Sequence, residues 1–179
     1  MSRGIGNIPF AWSFAILRQN TGFPPLDRRR LPSYPNNPMA EQTTLILLKT
    51  DCVEKKLCGE VIKRFEKEGF TLRGIKMLEM SDAILRDHYS HIADKPFFPE
   101  VVEFMQKSPV VALALEGEDV IGRVRDLLGP TDSTKADPGT IRGDFGVDMM
   151  VNVCHASDSP EAAEAELARF FQDGELFSY

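Results

Sequence analysis

Thr44 to Leu48 is an uninterrupted, mostly apolar run that is too short for a helix. Such a run is typical of a strand buried on both faces, and it gives way to the polar Lys49 and Asp51. Leu57, Val61 and Phe65 then recur every fourth residue among charged neighbours, which predicts an amphipathic helix stopping at Gly69. Phe70 to Met80 carries Leu72, Ile75, Met77 and Leu78 without a helical stripe and predicts a strand, after which Ser81 and Asp82 offer a cap for a helix over Ala83 to Tyr89. A short helix is expected over Phe97 to Met105, a buried strand over Pro109 to Leu115 and another helix over Val120 to Leu128. Gly129 to Asp148 is rich in Pro, Gly, Thr and Asp, and a loop of that length in a compact domain is usually functional. Met149 to Cys154 is predicted to be a last central strand, followed by a helix that Ser159 caps and Pro160 opens.

That order reads as βαβ, βαβ with added helices. The simplest arrangement is an α+β sandwich of the ferredoxin-like type: a four-stranded antiparallel sheet with helices on one face and added short helices. The segment 1–38 differs in kind, holding half of the chain's 12 prolines and Arg3, Arg18, Arg28, Arg29 and Arg30 against a single acid, Asp27. It lacks periodicity and is expected to be a flexible Pro- and Arg-rich extension. An Arg-rich leader fits an organelle transit peptide, but the prolines and Met39 favour an upstream extension without a folding role.

Composition narrows the function. A chain of 179 residues, 42% of them hydrophobic, has room for one domain with a sizeable core, expected at 39–179. The net charge of -6 opposes a general nucleic-acid binder. Cys52, Cys58 and Cys154 form no CxxC pair and no zinc-ligand spacing, so they read as reduced thiols of a cytoplasmic protein. No apolar run approaches the roughly 18 to 20 residues that cross a bilayer, and no membrane partner is expected.

The candidate chemistry gathers near the C-terminus. His155 stands just beyond the last predicted strand and just before a helix, where nucleophiles are often presented. On that helix Ala163, Glu166, Leu167 and Phe170 share one stripe, so Glu166 either turns to His155 or lies at the stripe's edge in solvent. A carboxylate bonded to one imidazole nitrogen fixes the tautomer and leaves the other as a nucleophile. Arg142 lies in a glycine-bearing polar loop, and Arg125 and Lys49 are further candidates for phosphate charge. Phosphoryl transfer wants positive charge and an in-line nucleophile more than acid or base groups. Asp144-Phe145-Gly146 matches the protein-kinase triplet by chance, since no Gly-rich or HRD-type loop accompanies it, and no GxxxxGK[ST] loop is present.

Asn152 to Ser159 resembles the NxxHxSDS signature of nucleoside diphosphate kinases, Pro138 to Phe145 (PGTIRGDF) is similar to that family's phosphate loop, and Gly59 to Gly69 resembles its first helix. His88-Tyr89 and Pro96-Phe97-Phe98 agree too, and the likeness runs from about Thr43 to a short, bacterial-type C-terminus. The resemblance implies that His155 is the phosphorylated residue, oriented by Glu166 and Ser157. It implies that Lys49, Tyr89, Arg125, Thr131 and Arg142 contact phosphates, that Asn152 with Lys49 reaches the ribose, and that Phe97 stacks on the base beside Val101. Mg2+ would come chiefly with the phosphates of nucleoside tri- and diphosphates, and a homo-oligomer, tetramer or hexamer, is expected. A catalytically weak nucleotide-binding or interaction module of the same fold is the alternative. Lys49-Thr50-Asp51-Cys52-Val53 stands where the family has KPDGV. Without that proline and glycine the turn placing Lys49 is expected to be looser or differently shaped.

Overall fold

Every position of the strand Leu45 to Leu48 is fully buried, so cover is required on both faces of the sheet. In the computed structural model, which describes residues 41–179, the elements follow as β1 (Glu41–Leu48), α1 (Thr50–Glu54), α2 (Cys58–Lys67), β2 (Thr71–Leu78), α3 (Asp82–His88), α4 (Phe98–Met105), β3 (Val110–Glu118), α5 (Val120–Leu128), a 3-10 turn (Ser133–Lys135), α6 (Ile141–Phe145), β4 (Cys154–Ala156) and α7 (Pro160–Phe170). The segment 1–38 and its expected flexibility lie outside the described residues.

The strands form one antiparallel sheet in the order β2-β3-β1-β4. Sequence and sheet agree on four antiparallel strands crossed by helices, but the helices are not confined to one face. Ile46, Leu48, Val111, Leu113 and Leu115 pack against Val61 and Phe65 of α2 and Val120, Val124 and Leu128 of α5. Leu45, Leu47, Val110, Ala112 and Ala114 pack against Leu85 of α3, Phe98, Phe104 and Met105 of α4, and Phe170 of α7. The reason lies in β1 and β3, which are apolar at successive rather than alternate positions. A bare face would leave Leu45 and Leu47 in water at a cost of about 1.5–3 kcal/mol each.

Local signals set most boundaries. The α2 stripe ends where Gly69 takes φ 85, Ser81 Oγ accepts from the Ile84 N–H at 3.3 Å to start α3, and Ser159 Oγ accepts from the Ala162 N–H at 3.1 Å to start α7. Two expectations near the C-terminus are corrected. The last strand is the three-residue β4 at the sheet's edge, not a central strand over Met149 to Cys154, and it includes His155. Asp148 Oδ1 accepts from the Met150 and Val151 N–H groups at 2.7 Å each, and Asn152 Nδ2 donates to the Met149 and Thr131 carbonyls, so 149–152 turns back on itself and cannot join a ladder. The stretch from Gly129 to Asp148 is no bare loop either, since it carries the 3-10 turn and α6. Among the described residues no helix is long and apolar enough to cross a membrane.

Candidate active site

Lys49 leaves the end of β1 and enters α1, and this junction is braced. Its amide donates to the Val153 carbonyl at 2.8 Å, while Asp51 Oδ2 accepts from the Val153 N–H at 3.0 Å. Val153 needs both holds, because it sits at φ 73, a conformation that a β-branched residue avoids. The strained residue lies two positions before His155 and aims the chain into β4. The missing proline and glycine have left no disordered turn. Thr50 opens a regular helix, and its Oγ1 donates to the Phe104 carbonyl at 3.0 Å, while Cys52 is helical and has no need of glycine's freedom. Replacing Asp51 by Ala orphans the buried Val153 N–H and is expected to cost about 1–3 kcal/mol. Urea unfolding measures this, and Asp51→Asn, which keeps an acceptor, is expected to recover most of the loss.

The Lys49 side chain is buried. Its Nζ donates to Asn152 Oδ1 at 2.9 Å and to the Met150 carbonyl, and it stands 5.0 Å above the Phe104 ring. Burial, only partly offset by Asp51, lowers its pKa to about 8.

His155 is held from one side. Its Nε2 lies 2.9 Å from Glu166 Oε1, and Glu166 Oε2 accepts from Ser157 Oγ at 2.7 Å. Ser157 is itself tied to β1, accepting from the Leu45 N–H at 3.3 Å while its amide donates to the Leu45 carbonyl at 3.2 Å. Position in the sheet is thereby transmitted through Ser157 and Glu166 to the imidazole. Burial opposes charge on Glu166, but the hydrogen bonds from His155 and Ser157 outweigh it and hold the carboxyl below its ordinary range. An ionised Glu166 accepts a proton-bearing Nε2 and leaves Nδ1 with its lone pair and no protein hydrogen bond.

His88 of α3 packs edge-on against His155, ring centroids 4.4 Å apart, and against Phe170 and Tyr89. Neither of its nitrogens has a partner, and burial with the neighbouring His155 pushes its pKa down to about 3, so it is a neutral wall beside the imidazole.

Arg142 lies one residue inside α6, buried, with Nη1 donating to the Gly129 carbonyl and Nη2 to the Cys154 carbonyl, both at 2.8 Å. It thus joins the end of α5 to the strand bearing His155. The loop can close this far because Gly143 has no side chain: a Cβ there would lie 2.0 Å from the Asp137 carbonyl oxygen. Asp144, part of the protein-kinase-like triplet, has a local task, accepting from the Gly139 N–H at 2.8 Å and from Arg64 at 2.7 Å.

These groups meet around one cavity of about 760 Å³. Every residue nominated from the sequence lines it except Ser157, which lies behind Glu166: Lys49, Tyr89, Phe97, Val101, Arg125, Thr131, Arg142, Asn152, His155 and Glu166. Lys49, Arg125 and Arg142 supply the cationic floor. Phe97, half exposed at the start of α4, and Val101 one turn on form an apolar lip. Of the lining carboxylates, Asp87 is paired with Arg169 and Glu166 with His155, which leaves Asp158. That donor set offers no oxygen cage and fits a magnesium ion carried mainly by phosphate oxygens.

Sequence reasoning missed the tasks of Asp51, His88 and Phe104. Asp51 was visible inside the Lys49-Thr50-Asp51-Cys52-Val53 motif, but its partner lies 102 residues away. Phe104 gave no signal beyond the α4 stripe.

Comparison with known proteins agrees with this geometry. The family profile described as "Nucleoside diphosphate kinase" matches residues 42–176. The chain is 48% identical over 138 residues to a nucleoside diphosphate kinase of Parabacteroides distasonis, covering 77% of this chain and 90% of that protein. It superposes on the crystal structure of the Aquifex aeolicus nucleoside diphosphate kinase with a TM-score of 0.74 at 44% identity, over 77% of this chain and all of that one. For the Halobacterium salinarum nucleoside diphosphate kinase in complex with CDP the TM-score is 0.75 at 39% identity, over 78% and 93% of the two chains. A ferredoxin-like antiparallel sheet covered by helices on both faces, with a carboxylate-braced histidine in a cationic cavity, is the frame of a nucleotide phosphotransferase. The chain belongs to the nucleoside diphosphate kinase family, and it is an enzyme that moves a phosphoryl group between nucleotides.

Proposed function

We propose that His155 carries the phosphoryl group in a ping-pong exchange. The observation that supports this most strongly is the Glu166 contact to Nε2, which leaves Nδ1 as the only nucleophilic nitrogen of the ring. In the first half-reaction Nδ1 attacks the γ-phosphorus of a bound triphosphate and the bond to the bridging oxygen breaks. Arg142, Arg125 and Lys49 balance the charge spread over the phosphoryl oxygens and the leaving diphosphate. Glu166, kept ionised, stabilises the Nε2–H while the ring gains positive character. A second diphosphate then takes the group back in the same cavity.

Phe97 and Val101 grip the base by stacking and apolar contact, which reads no edge and admits every base. Asn152 and Lys49 meet the ribose hydroxyls, and Tyr89 and Thr131 the phosphates. Mg2+ arriving with the nucleotide would supply further positive charge to the phosphates, with Asp158 the lining carboxylate left to help hold it. The test is intact mass after brief exposure to ATP and magnesium. A single acid-labile phosphoryl adduct, discharged by any nucleoside diphosphate, is expected, and a protein that binds nucleotide without acquiring the adduct would refute the scheme.

Lys49 gives the scheme a pH signature. Its ammonium is lost as pH rises through about 8 rather than through its ordinary 10.5. The KM for the triphosphate is therefore expected to climb above pH 8 and to stay flat below it, and Lys49→Arg should abolish the climb. Stability moves the other way. The unfolded chain holds that proton more tightly, so the penalty for burying the charge disappears and stability increases between about pH 8 and 10.5.

A homo-oligomer fits the edge strand β2, whose Ile75 and Met77 remain exposed on the outer end of the sheet. The three free thiols among the described residues suit a reducing, cytoplasmic setting.

A further inference from the structure

Cys52 and Cys58 face each other across the turn that ends α1, apart from the residues that line the cavity. Lys56 takes φ 59, its amide donates to the Val53 carbonyl at 3.0 Å, and the Leu57 amide reaches back to the Cys52 carbonyl at 2.9 Å. These are the paired bonds of a Schellman turn, and they fix the start of α2 beside Cys52. The two sulfurs come within 4.0 Å. Cys52 is fully buried against the core of that face, whereas Cys58, the first residue of α2, is partly open to solvent. Neither thiol has a part in phosphoryl transfer, and Cys52 occupies the place that resembles the family's glycine.

We propose that Cys52 and Cys58 form a reactive thiol pair that closes to a reversible disulfide on contact with a peroxide, Cys58 reacting first and Cys52 resolving it. The Cys58 sulfur attacks the peroxide O–O bond and becomes a sulfenic acid, the second oxygen leaving as water when the peroxide is hydrogen peroxide. The Cys52 sulfur then attacks Cys58. An S–S bond forms, the S–O bond breaks, and the hydroxyl departs as a second water with the Cys52 proton. Two electrons pass from the pair to the peroxide, and a dithiol reverses the change. Closure shortens a sulfur separation of 4.0 Å to the about 2 Å of an S–S bond. The contacts of Lys49 to Asn152 and Met150 use none of the atoms that move. The oxidised protein therefore keeps its phosphoryl transfer, and the pair absorbs oxidising equivalents without disabling the site. Burial, with neighbouring Cys154 and Cys58, pushes the Cys52 thiol up, so resolution is the slower step.

Lys55 and Lys56 make the test direct, because trypsin cuts between the two cysteines. The full chain is treated with equimolar hydrogen peroxide, unfolded, alkylated and digested without reductant. The expected map joins peptide 50–55 to the peptide bearing Cys58, with Cys154 alkylated and the link released by dithiothreitol. Cys52→Ala is expected to accumulate a Cys58 sulfenic acid that dimedone traps, and Cys58→Ser is expected to leave Cys52 unreacted. A link through Cys154, a link between chains, over-oxidised Cys58 in the unsubstituted protein, or no link at all overturns the pairing. The activity arm rests on the phosphotransfer reading, but the peptide map does not. Phosphorylation by ATP within about twofold of the reduced protein supports an inert closure, and a larger loss that dithiothreitol restores shows instead that the bond drags the Lys49 turn.

Discussion

Replacing His155 by Ala is expected to remove the phosphoryl adduct altogether and to lower nucleotide exchange by at least about a thousandfold, since the Glu166 contact that leaves a ring nitrogen ready as nucleophile is made to His155. Lys49 and Arg142 are committed to carbonyl and amide oxygens. His88 is neutral but buried at the back of the imidazole, with a side chain wholly shielded from solvent. The fold should survive. The His155 side chain contributes its Glu166 contact and its edge-on packing on His88 and Tyr89, while Ser157 still holds Glu166 Oε2 and both backbone groups of Leu45. Nucleotide binding should persist as well, because the cationic floor and the apolar lip are untouched. The measurement is intact mass after ATP and magnesium, set beside a binding isotherm. Retained exchange would remove His155 from the mechanism.

Arg142→Ala is expected to strike both rate and stability. Under the proposed scheme its charge is worth most in the transition state, and its loss should cost about 10²–10³ in the rate of phosphorylation, with a smaller change in nucleotide affinity. As a strut it satisfies the Gly129 and Cys154 carbonyls, and each charge-assisted bond of this kind contributes about 1.5–3 kcal/mol. Arg142→Lys separates the two contributions, since an ammonium restores charge but cannot fork to two carbonyls in different elements. Partial recovery of stability with a larger recovery of rate is expected, read by urea unfolding and by rapid-mix phosphorylation. Equal losses in both variants would make Arg142 a strut alone.

The site was readable where chemistry depends on residue type and local spacing. The eight residues from Asn152 to Ser159 and the loop Pro138 to Phe145 singled out His155 and Arg142, which both line the cavity. Glu166 was recognisable as a carboxylate on an apolar stripe, although periodicity left its direction open. What settled it was the Ser157 hydroxyl, and Ser157 is fixed by β1 more than a hundred residues earlier in the chain. His88 and Asp51 stayed silent because their significance is relational. A neutral buried histidine and an N–H acceptor become meaningful only once His155 and Val153 are set against them.

By itself the sequence determined β1, β2 and β3 and the helices α2, α3, α4, α5 and α7, because apolar period, caps and glycine stops act over a few residues, while α1, α6 and the place of β4 were not legible in it. It also supplied the cations and the histidine that line the cavity, since charge and imidazole chemistry belong to residue types. The tertiary structure alone decided which helices cover the second face of the sheet, because Leu45 and Leu47 are shielded by residues far along the chain, in α3, α4 and α7. It also decided that His155 stands within a short edge strand rather than beyond a central one. That placement depends on the strained Val153, whose positive φ persists only because Asp51 and Lys49 hold it from the opposite end of the domain.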